Sequence, residues 1–409
     1  MVTRSRSHRA TAAAALAAGL AAVAFGAAPA AADVFNGRIA FGSFRVDPPA
    51  GVTRSGDIFT MNADGSDVRR LTSSPEPDRQ PDWSPTGTDI AYSIRKPGSA
   101  ANFEVARMTA SGRSKRRLTF TVDGQASSQP SWRPDGRTIL FRRSGPGRAA
   151  SIWQMGRLGE TPGLRYQPPN PPLYPTWSPD MGQILFTAIV GATGDTDRGI
   201  FVVDQDGSDQ KTLFDEPGSY DSAPAWSPDG RRIAFESNAN VAGANPEGDM
   251  EIWTMAADGS QRRQLTSNAL HDEGPAWSPD GGRMLAYTSG PDNTHGDITV
   301  MTADGRFLRR LTTYEGVDES PDWQAIPAPK TARRCGDATA RGAYDVRAGG
   351  RGLRCGGALA VARRWSKSGK PRRVSGFAVR TNGFGGVQRV VMRRTRDGVR
   401  QVVAFLYRP

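Results

Sequence analysis

Ala223-Pro-Ala-Trp226-Ser-Pro-Asp-Gly230-Arg-Arg-Ile233-Ala-Phe235 decides how this 409-residue chain folds, because it is one copy of a repeat. Other copies, written from the tryptophan, begin Trp83-Ser-Pro-Thr-Gly87, Trp132-Arg-Pro-Asp-Gly136, Trp177-Ser-Pro-Asp180 and Trp277-Ser-Pro-Asp-Gly281. A broken copy stands at Trp323, and a proline precedes each of the six tryptophans by two residues. Pro at the second place of a turn presets φ, Asp suits the third and Gly the fourth, so the motif predicts a tight turn joining two short strands.

Working outward, each copy is followed by an apolar segment such as Asp57-Ile-Phe-Thr-Met61, Glu251-Ile-Trp-Thr-Met255 or Asp297-Ile-Thr-Val-Met301. A turn then holds Gly65, Gly112, Gly159, Gly207, Gly259 or Gly305, where a hairpin needs φ > 0. A fourth strand ends near Arg70-Leu-Thr72, Arg117-Leu-Thr119, Leu213, Gln264-Leu-Thr266 and Arg310-Leu-Thr312. The weakest copy reads Gly163-Leu-Arg-Tyr166 there. Four strands at a period of roughly 45 to 50 residues mark the blade of a β-propeller.

The count predicts six blades. Arg38-Ile-Ala-Phe41 has the form of a second strand but no turn motif precedes it, while Trp323 supplies a first strand with no successor. One strand from the C-terminal side and three from the N-terminal side therefore close the ring, which removes two sheet edges that would otherwise invite aggregation. The first strand of each blade is expected nearest the axis, with its tryptophan packed between blades. Burying one indole removes ~150–250 Å² from water, several kcal/mol at ~25 cal/mol per Å².

Residues 1–32 read as a signal peptide: Arg4, Arg6 and Arg9, an apolar stretch from Ala12 to Ala28, then Ala28-Pro-Ala30 or Ala30-Ala-Ala32 as the cleavage site. Residues 33–326 form the expected propeller, 327–330 a linker and 331–409 a small basic domain. Charge supports that division: residues 33–329 carry 30 Lys and Arg against 38 Asp and Glu, and residues 330–409 carry 20 against 3.

The repeats resemble the WD40-like, PD40-type repeat of the TolB family, whose units read x-P-x-W-S-P-D-G-x-x-I-A-F, then D-I-W-x-M-x-x-D-G and R-x-L-T. The resemblance covers residues 36 to 326. It implies an all-β six-bladed propeller and an exported protein, in the periplasm, at the cell envelope or outside the cell. The family includes TolB, which binds a peptidoglycan-associated lipoprotein, and the same repeat forms the propeller of prolyl-oligopeptidase-like and tricorn-type peptidases. The chain departs from both patterns, with only a few residues between the cleavage site and the first strand and no sequence for a hydrolase domain.

No G-x-S-x-G, H-E-x-x-H, P-loop or G-x-G-x-x-G is present, and beyond the signal peptide the histidines are His271 and His295. The expectation is a non-enzymatic scaffold, monomeric, without cofactor or metal, that binds a protein or peptide on its propeller face. The alternative is a propeller enzyme acting on a glycan or peptide at the channel mouth. Asp204-Gln-Asp206-Gly-Ser-Asp209 offers oxygen ligands of the kind calcium prefers, but its Asp-Gly recurs in other blades and reads first as a hairpin turn.

Two sets of residues are candidate sites. Five residues before the tryptophan stand Asp78, Asp221, Asp272 and Asp318, two of them followed by Glu273 and Glu319. A ring of carboxylates at the channel mouth would draw a cation or a basic peptide, although each Asp is also placed to cap its own loop. In the tail, Arg363, Arg364, Lys367, Lys370, Arg372, Arg373, Arg393 and Arg394 form a field for an anionic envelope polymer; nucleic acid is not the expected partner outside the cell. Cys335 and Cys355 are expected to form a disulfide, contributing ~3 kcal/mol by loop closure. A short helix over 355–365 and strands over 374–379, 387–392 and 399–407 complete the expected α+β tail.

Overall fold

The computed structural model describes residues 34–45, 56–99, 102–122, 124–190, 197–292, 295–314 and 316–327. In the tail it describes 333–334, 343–349, 361, 373–374, 377–384, 387–396 and 399–407. Six four-stranded antiparallel sheets form the blades. In chain order their innermost strands are Asp78–Trp83 (blade I), Ala126–Trp132 (II), Pro172–Trp177 (III), Asp221–Trp226 (IV), His271–Trp277 (V) and Asp318–Pro327 (VI).

Blade VI is the composite expected from the repeat count. Asp318–Pro327 pairs with Val34–Ser43, which pairs with Asp57–Asn62 and then Arg69–Arg70. Each tryptophan packs on the preceding blade, and that sequence of contacts runs all the way round. Trp83 of blade I meets Ala40 and Ile58 of blade VI, and Trp132 meets Ala91 and Val105 of blade I. Trp177 packs on Leu140 and Ile152, Trp226 on Leu185 and Ile200, Trp277 on Ala234 and Ile252, and Trp323 on Ala286 and Val300.

The turn motif is a hydrogen-bonded unit. In blade IV, Gly230 N–H donates to Ser227 O at 2.8 Å, Ser227 Oγ donates to Asp229 Oδ1 at 2.6 Å, and the same Oγ accepts Arg232 N–H at 2.9 Å. Serine, aspartate and glycine are thus all used by the backbone, with Gly230 at φ +69°. Blade III breaks the motif: Met181 occupies the glycine's place at φ +66°. The glycine of the outer hairpin has a second role, because a Cβ on Gly159 (φ +89°) would stand 2.9 Å from Leu118 O of the neighbouring blade.

The Arg-x-Leu-Thr and Asp-Ile segments are two halves of one clasp. Thr72 Oγ1 accepts Ile58 N–H at 2.9 Å and donates to Asp57 Oδ1 at 3.1 Å, while Arg70 reaches Asp57 Oδ2 at 2.6 Å. Thr312 repeats both contacts with Ile298 and Asp297 in blade V. The clasp fixes the short outer strand to the third.

In the tail the described strands form one six-stranded sheet, in the order 333–334, 343–349, 399–407, 387–396, 377–384 and 373–374. Two of the expected strands lie where they were read. The expected strand over 374–379 is not continuous: Arg373 and Val374 pair antiparallel with Ala378 and Phe377. Within the helix expected over 355–365, Val361 is described, and it is helical and buried; the rest of that helix and the Cys335–Cys355 disulfide lie outside the described residues.

Candidate functional site

The channel is built from a bulge that every blade shares. On each innermost strand the pairing register breaks between the residue four before the tryptophan and the residue before it, as from Arg79 to Asp82 and from Glu273 to Ala276. The residue three before the tryptophan is left-handed in all six blades: Gln80 (φ +54°), Gln129 (+56°), Tyr174 (+49°), Ala223 (+47°), Gly274 (+60°) and Ser320 (+53°). Proline follows it each time, and with no N–H to offer the ladder it is suited to a bulge. These bulges, with the prolines and tryptophans beside them, line an axial cavity of about 530 Å³.

Asp78, Asp221, Asp272 and Asp318 do not line that cavity. They are buried in their own blades at the start of the innermost strands. Ser74 Oγ donates to Asp78 at 2.9 Å, Asn268 Nδ2 to Asp272 at 2.8 Å, and Arg45 pairs with Asp318. Asp221 accepts from Ser219 Oγ at 2.7 Å and from Ser237 Oγ. Burial pushes all four carboxyls up, Asp78 to about 7 and Asp221 to about 6.

Glu273 and Glu319, one residue further along, belong to a polar cluster at that end of the channel. Burial raises both; Glu319's charge adds to the rise at Glu273 while His271 opposes it, and Arg79, 3.7 Å from Glu319, opposes the rise there. Sequence reasoning missed the other members. Glu236, following the Ile-Ala-Phe of blade IV, accepts Gly274 N–H at 2.7 Å and is driven to about 8 by burial and by Glu273. Tyr174 is raised by burial, with the charges of Glu236, Arg198 and Glu319 acting on it, and Arg198 lies 3.8 Å over the Tyr220 ring. Superposing the six repeats would have put Arg79 opposite Glu273 and Glu319; Glu236 and Arg198 have no repeat signature.

Further along the channel, Asp82 and Asp322 each precede a tryptophan and tie their blade to the next. Asp322 Oδ2 accepts Trp83 N–H at 2.6 Å, and Asp82 Oδ2 accepts Trp132 N–H at 2.7 Å. Burial raises both, and the charge of Asp322 lifts Asp82 further. The other blades carry Ser131, Thr176, Ala225 and Ala276 there.

Around the Glu273 end, the loops entering the innermost strands expose Phe120 and Val122 (71% and 66% exposed), Leu270 and Tyr314, and the second hairpin of blade IV exposes Val241. The turn at Asp204–Asp209 is an ordinary hairpin: Asp206 accepts Ser208 N–H at 2.9 Å and Lys211 pairs with Asp209 at 2.7 Å. Among the described residues no three His, Cys, Asp or Glu side chains converge as metal ligands, and no helix is long and apolar enough to cross a membrane. Of the basic candidates, Arg373 lies on the tail sheet's edge strand and Arg393 and Arg394 on the strand 387–396. Arg363, Arg364, Lys367, Lys370 and Arg372 lie outside the described residues.

Closed ring, inter-blade tryptophans and axial channel define a six-bladed β-propeller. The fold is similar to that of TolB: TolB from Acinetobacter baumannii aligns with a TM-score of 0.57 at 23% identity over 70% of this chain and 66% of that one. A putative TolB from Agrobacterium tumefaciens aligns with a TM-score of 0.53 at 21% identity over 72% of this chain and 99% of that one. No family model matches. Among curated proteins, the uncharacterized protein Atu1656 of Agrobacterium fabrum is 31% identical over 137 residues, 33% of this chain and 42% of its own. The uncharacterized peptidase YuxL of Bacillus subtilis is 39% identical over 16% of this chain and 9% of its own length. Dipeptidyl-peptidase 5 of Porphyromonas endodontalis is 31% identical over 27% and 15%. The chain thus spans less than half the length of each of these curated relatives.

Proposed function

We propose that this protein is an exported, non-enzymatic propeller scaffold that binds a protein or peptide at the cell envelope through the face carrying Glu273 and Glu319. The observation that carries this reading is the coincidence, on one face, of exposed apolar side chains and an acidic channel end. Phe120, Val122, Leu270 and Tyr314 supply apolar contact area, while Glu273 and Glu319 favour a basic side chain or amine entering the channel. The buried Asp78, Asp221, Asp272 and Asp318 support the loops of that face. The basic tail, 331–409, holds the protein to an anionic envelope polymer by a salt-dependent attraction.

A second reading keeps the same site and makes it catalytic on a glycan or peptide. It is favoured by the raised carboxyls of Glu236 and Glu273 beside Tyr174, the kind of perturbation that accompanies acid–base chemistry, and by the peptidase-named relatives. A photo-crosslinking residue at Phe120 or Tyr314, compared with one at Phe307 on an outer strand, tests the scaffold in living cells. One discrete adduct from the first two positions and none from Phe307 is expected. Equal labelling at all three, or turnover of peptide or glycan substrates abolished by Glu236→Gln, would replace it with the second reading.

A further inference from the structure

On the face opposite the Glu273 end, where the turn motifs lie, a groove of about 810 Å³ opens between blades I and II. Its place coincides with the weakest repeat. Blade II has Ser151 where blades I, IV, V and VI start the third strand with Glu104, Glu251, Asp297 and Asp57, and Arg165-Tyr166 where those blades carry Leu-Thr. The outer strand Gly163–Tyr166 pairs with a register shift, leaving Leu164 55% exposed in the groove wall. Tyr166 still packs on the blade III core against Phe186, whereas Arg165, at a position that is leucine in the other five blades, lines the groove.

The lining has two chemically distinct sides. On one, Arg137, Arg157 and Arg165 bring guanidinium groups to the groove. Arg165 is held by its stack over Trp177, 5.7 Å from the ring centroid, and its buried Nε has no acceptor. Neither Arg157 nor Arg165 makes a side-chain hydrogen bond or an ion pair among the described residues. Three carboxylates also line the groove: Asp89 pairs with Arg107 at 2.7 Å, Glu160 accepts Leu158 N–H at 2.9 Å, and Asp135 pairs with Arg133 at 3.3 Å and reaches Arg137 at 4.0 Å, which leaves Arg157 and Arg165 as the guanidiniums open to an anion. On the other side Thr86 and Thr88 share a hydrogen bond of 2.8 Å, and Gln154 Nε2 donates to Thr138 Oγ1 at 2.8 Å. That last bond leaves the Thr138 hydroxyl proton and Gln154 Oε1 available to a ligand.

We propose that this groove binds an anionic saccharide, its carboxylate or phosphate on Arg157 and Arg165 and its hydroxyls on Thr86, Thr138 and Gln154. Guanidinium forks match the geometry of carboxylate and phosphate oxygens. The threonine and glutamine wall offers donors and acceptors to hydroxyls, which a bare anion lacks. The volume falls within the ~300–1,000 Å³ usual for small-molecule sites.

Calorimetric titration of the full chain with glucuronic acid, glucose 6-phosphate, glucose and inorganic phosphate tests this. Glucuronic acid and glucose 6-phosphate are the two possible sources of the anion; binding of either supports the site, and their relative affinity identifies the group it prefers. Glucose is expected to bind at least tenfold more weakly than both, and phosphate at least tenfold more weakly than glucose 6-phosphate. Arg157→Gln with Arg165→Gln should lower the affinity for the acid sugars at least tenfold, the melting temperature confirming that the fold is kept. Should that pair fail to fold, Arg157→Gln alone is expected to give a severalfold loss. The proposal is overturned if neither acid sugar binds, if phosphate matches glucose 6-phosphate, or if the substituted protein keeps its affinity, which would move binding to another basic surface such as the tail.

Discussion

Asp221→Asn separates the pH response of one buried carboxyl from the rest of the propeller. Asp221 is fully buried, and burial pushes its carboxyl to about 6 against the bonds from Ser237, Ser219 and the Glu216 N–H. In the unfolded chain the same group titrates near ~3.9. Because the folded value is the higher, the folded state keeps a proton that the unfolded chain has released. The contribution to stability is therefore complete below about pH 4 and is lost as pH rises through about 6. A difference of ~2 pK units corresponds to at most ~3 kcal/mol, or ~6–12 °C in melting temperature for a domain of this size. Asn cannot titrate, so its cost from altered hydrogen bonding is the same at every pH. Melting curves by circular dichroism across about pH 4 to 8 should show wild type losing up to ~3 kcal/mol relative to Asp221→Asn, most of it between about pH 4 and 6. A difference that stays flat across that range would refute the reasoning and make Asp221 an ordinary ionised cap.

Met181→Gly should stabilise the protein by about 1–2 kcal/mol, because Met181 holds φ +66° where most other turn motifs have glycine; urea denaturation midpoints check it, and a loss of stability would show that Met181 packing outweighs the strain. Deleting residues 33–72 removes three strands of blade VI with the buried Ile39, Phe41, Ile58, Phe59 and Met61. At ~1.5–3 kcal/mol for each side chain the loss reaches about 10 kcal/mol, comparable with a whole domain's stability. The truncated chain should be insoluble or lack a cooperative melt, and a soluble monomer with an unchanged transition would contradict ring closure.

What was legible in the residues follows from what repeats. Six tryptophans and the orphaned Arg38-Ile-Ala-Phe41 were enough to place the blades and their closure, because packing between blades uses the same side chains six times. The Thr72–Asp57 clasp was visible only as its two halves, since nothing along the chain says that residues 15 apart meet. The bulge was hidden for a related reason. Proline two before each tryptophan was its signal, but Gln80, Gln129, Tyr174, Ala223 and Ser320 are not residues that announce a left-handed backbone. The four aspartates were legible along the strands but their depth was not: Asp78, Asp221, Asp272 and Asp318 are buried in their own blades, and the residue after each adjoins the channel lining.

That next residue is where the ring stops being symmetric. Read around the axis from blade I to blade VI, it is Arg79, Ser128, Leu173, Ser222, Glu273 and Glu319. Glu236 of blade IV adds its carboxyl beside Glu273, and Arg198 of blade III stands over Tyr220. Carboxyls are therefore gathered on blades IV to VI, with cations on blades I and III. A scaffold that only filled space would have no need of this asymmetry, because six equivalent bulges already close the channel. Burial strengthens its consequence: in a low-dielectric wall, opposed charges act on a ligand group more strongly than they would on an open surface. A basic side chain entering from the Phe120 and Tyr314 face would be drawn off the axis toward Glu273, and its chain direction would be fixed by that displacement. The repeat builds the channel, and the single-copy residues at its end give it an orientation.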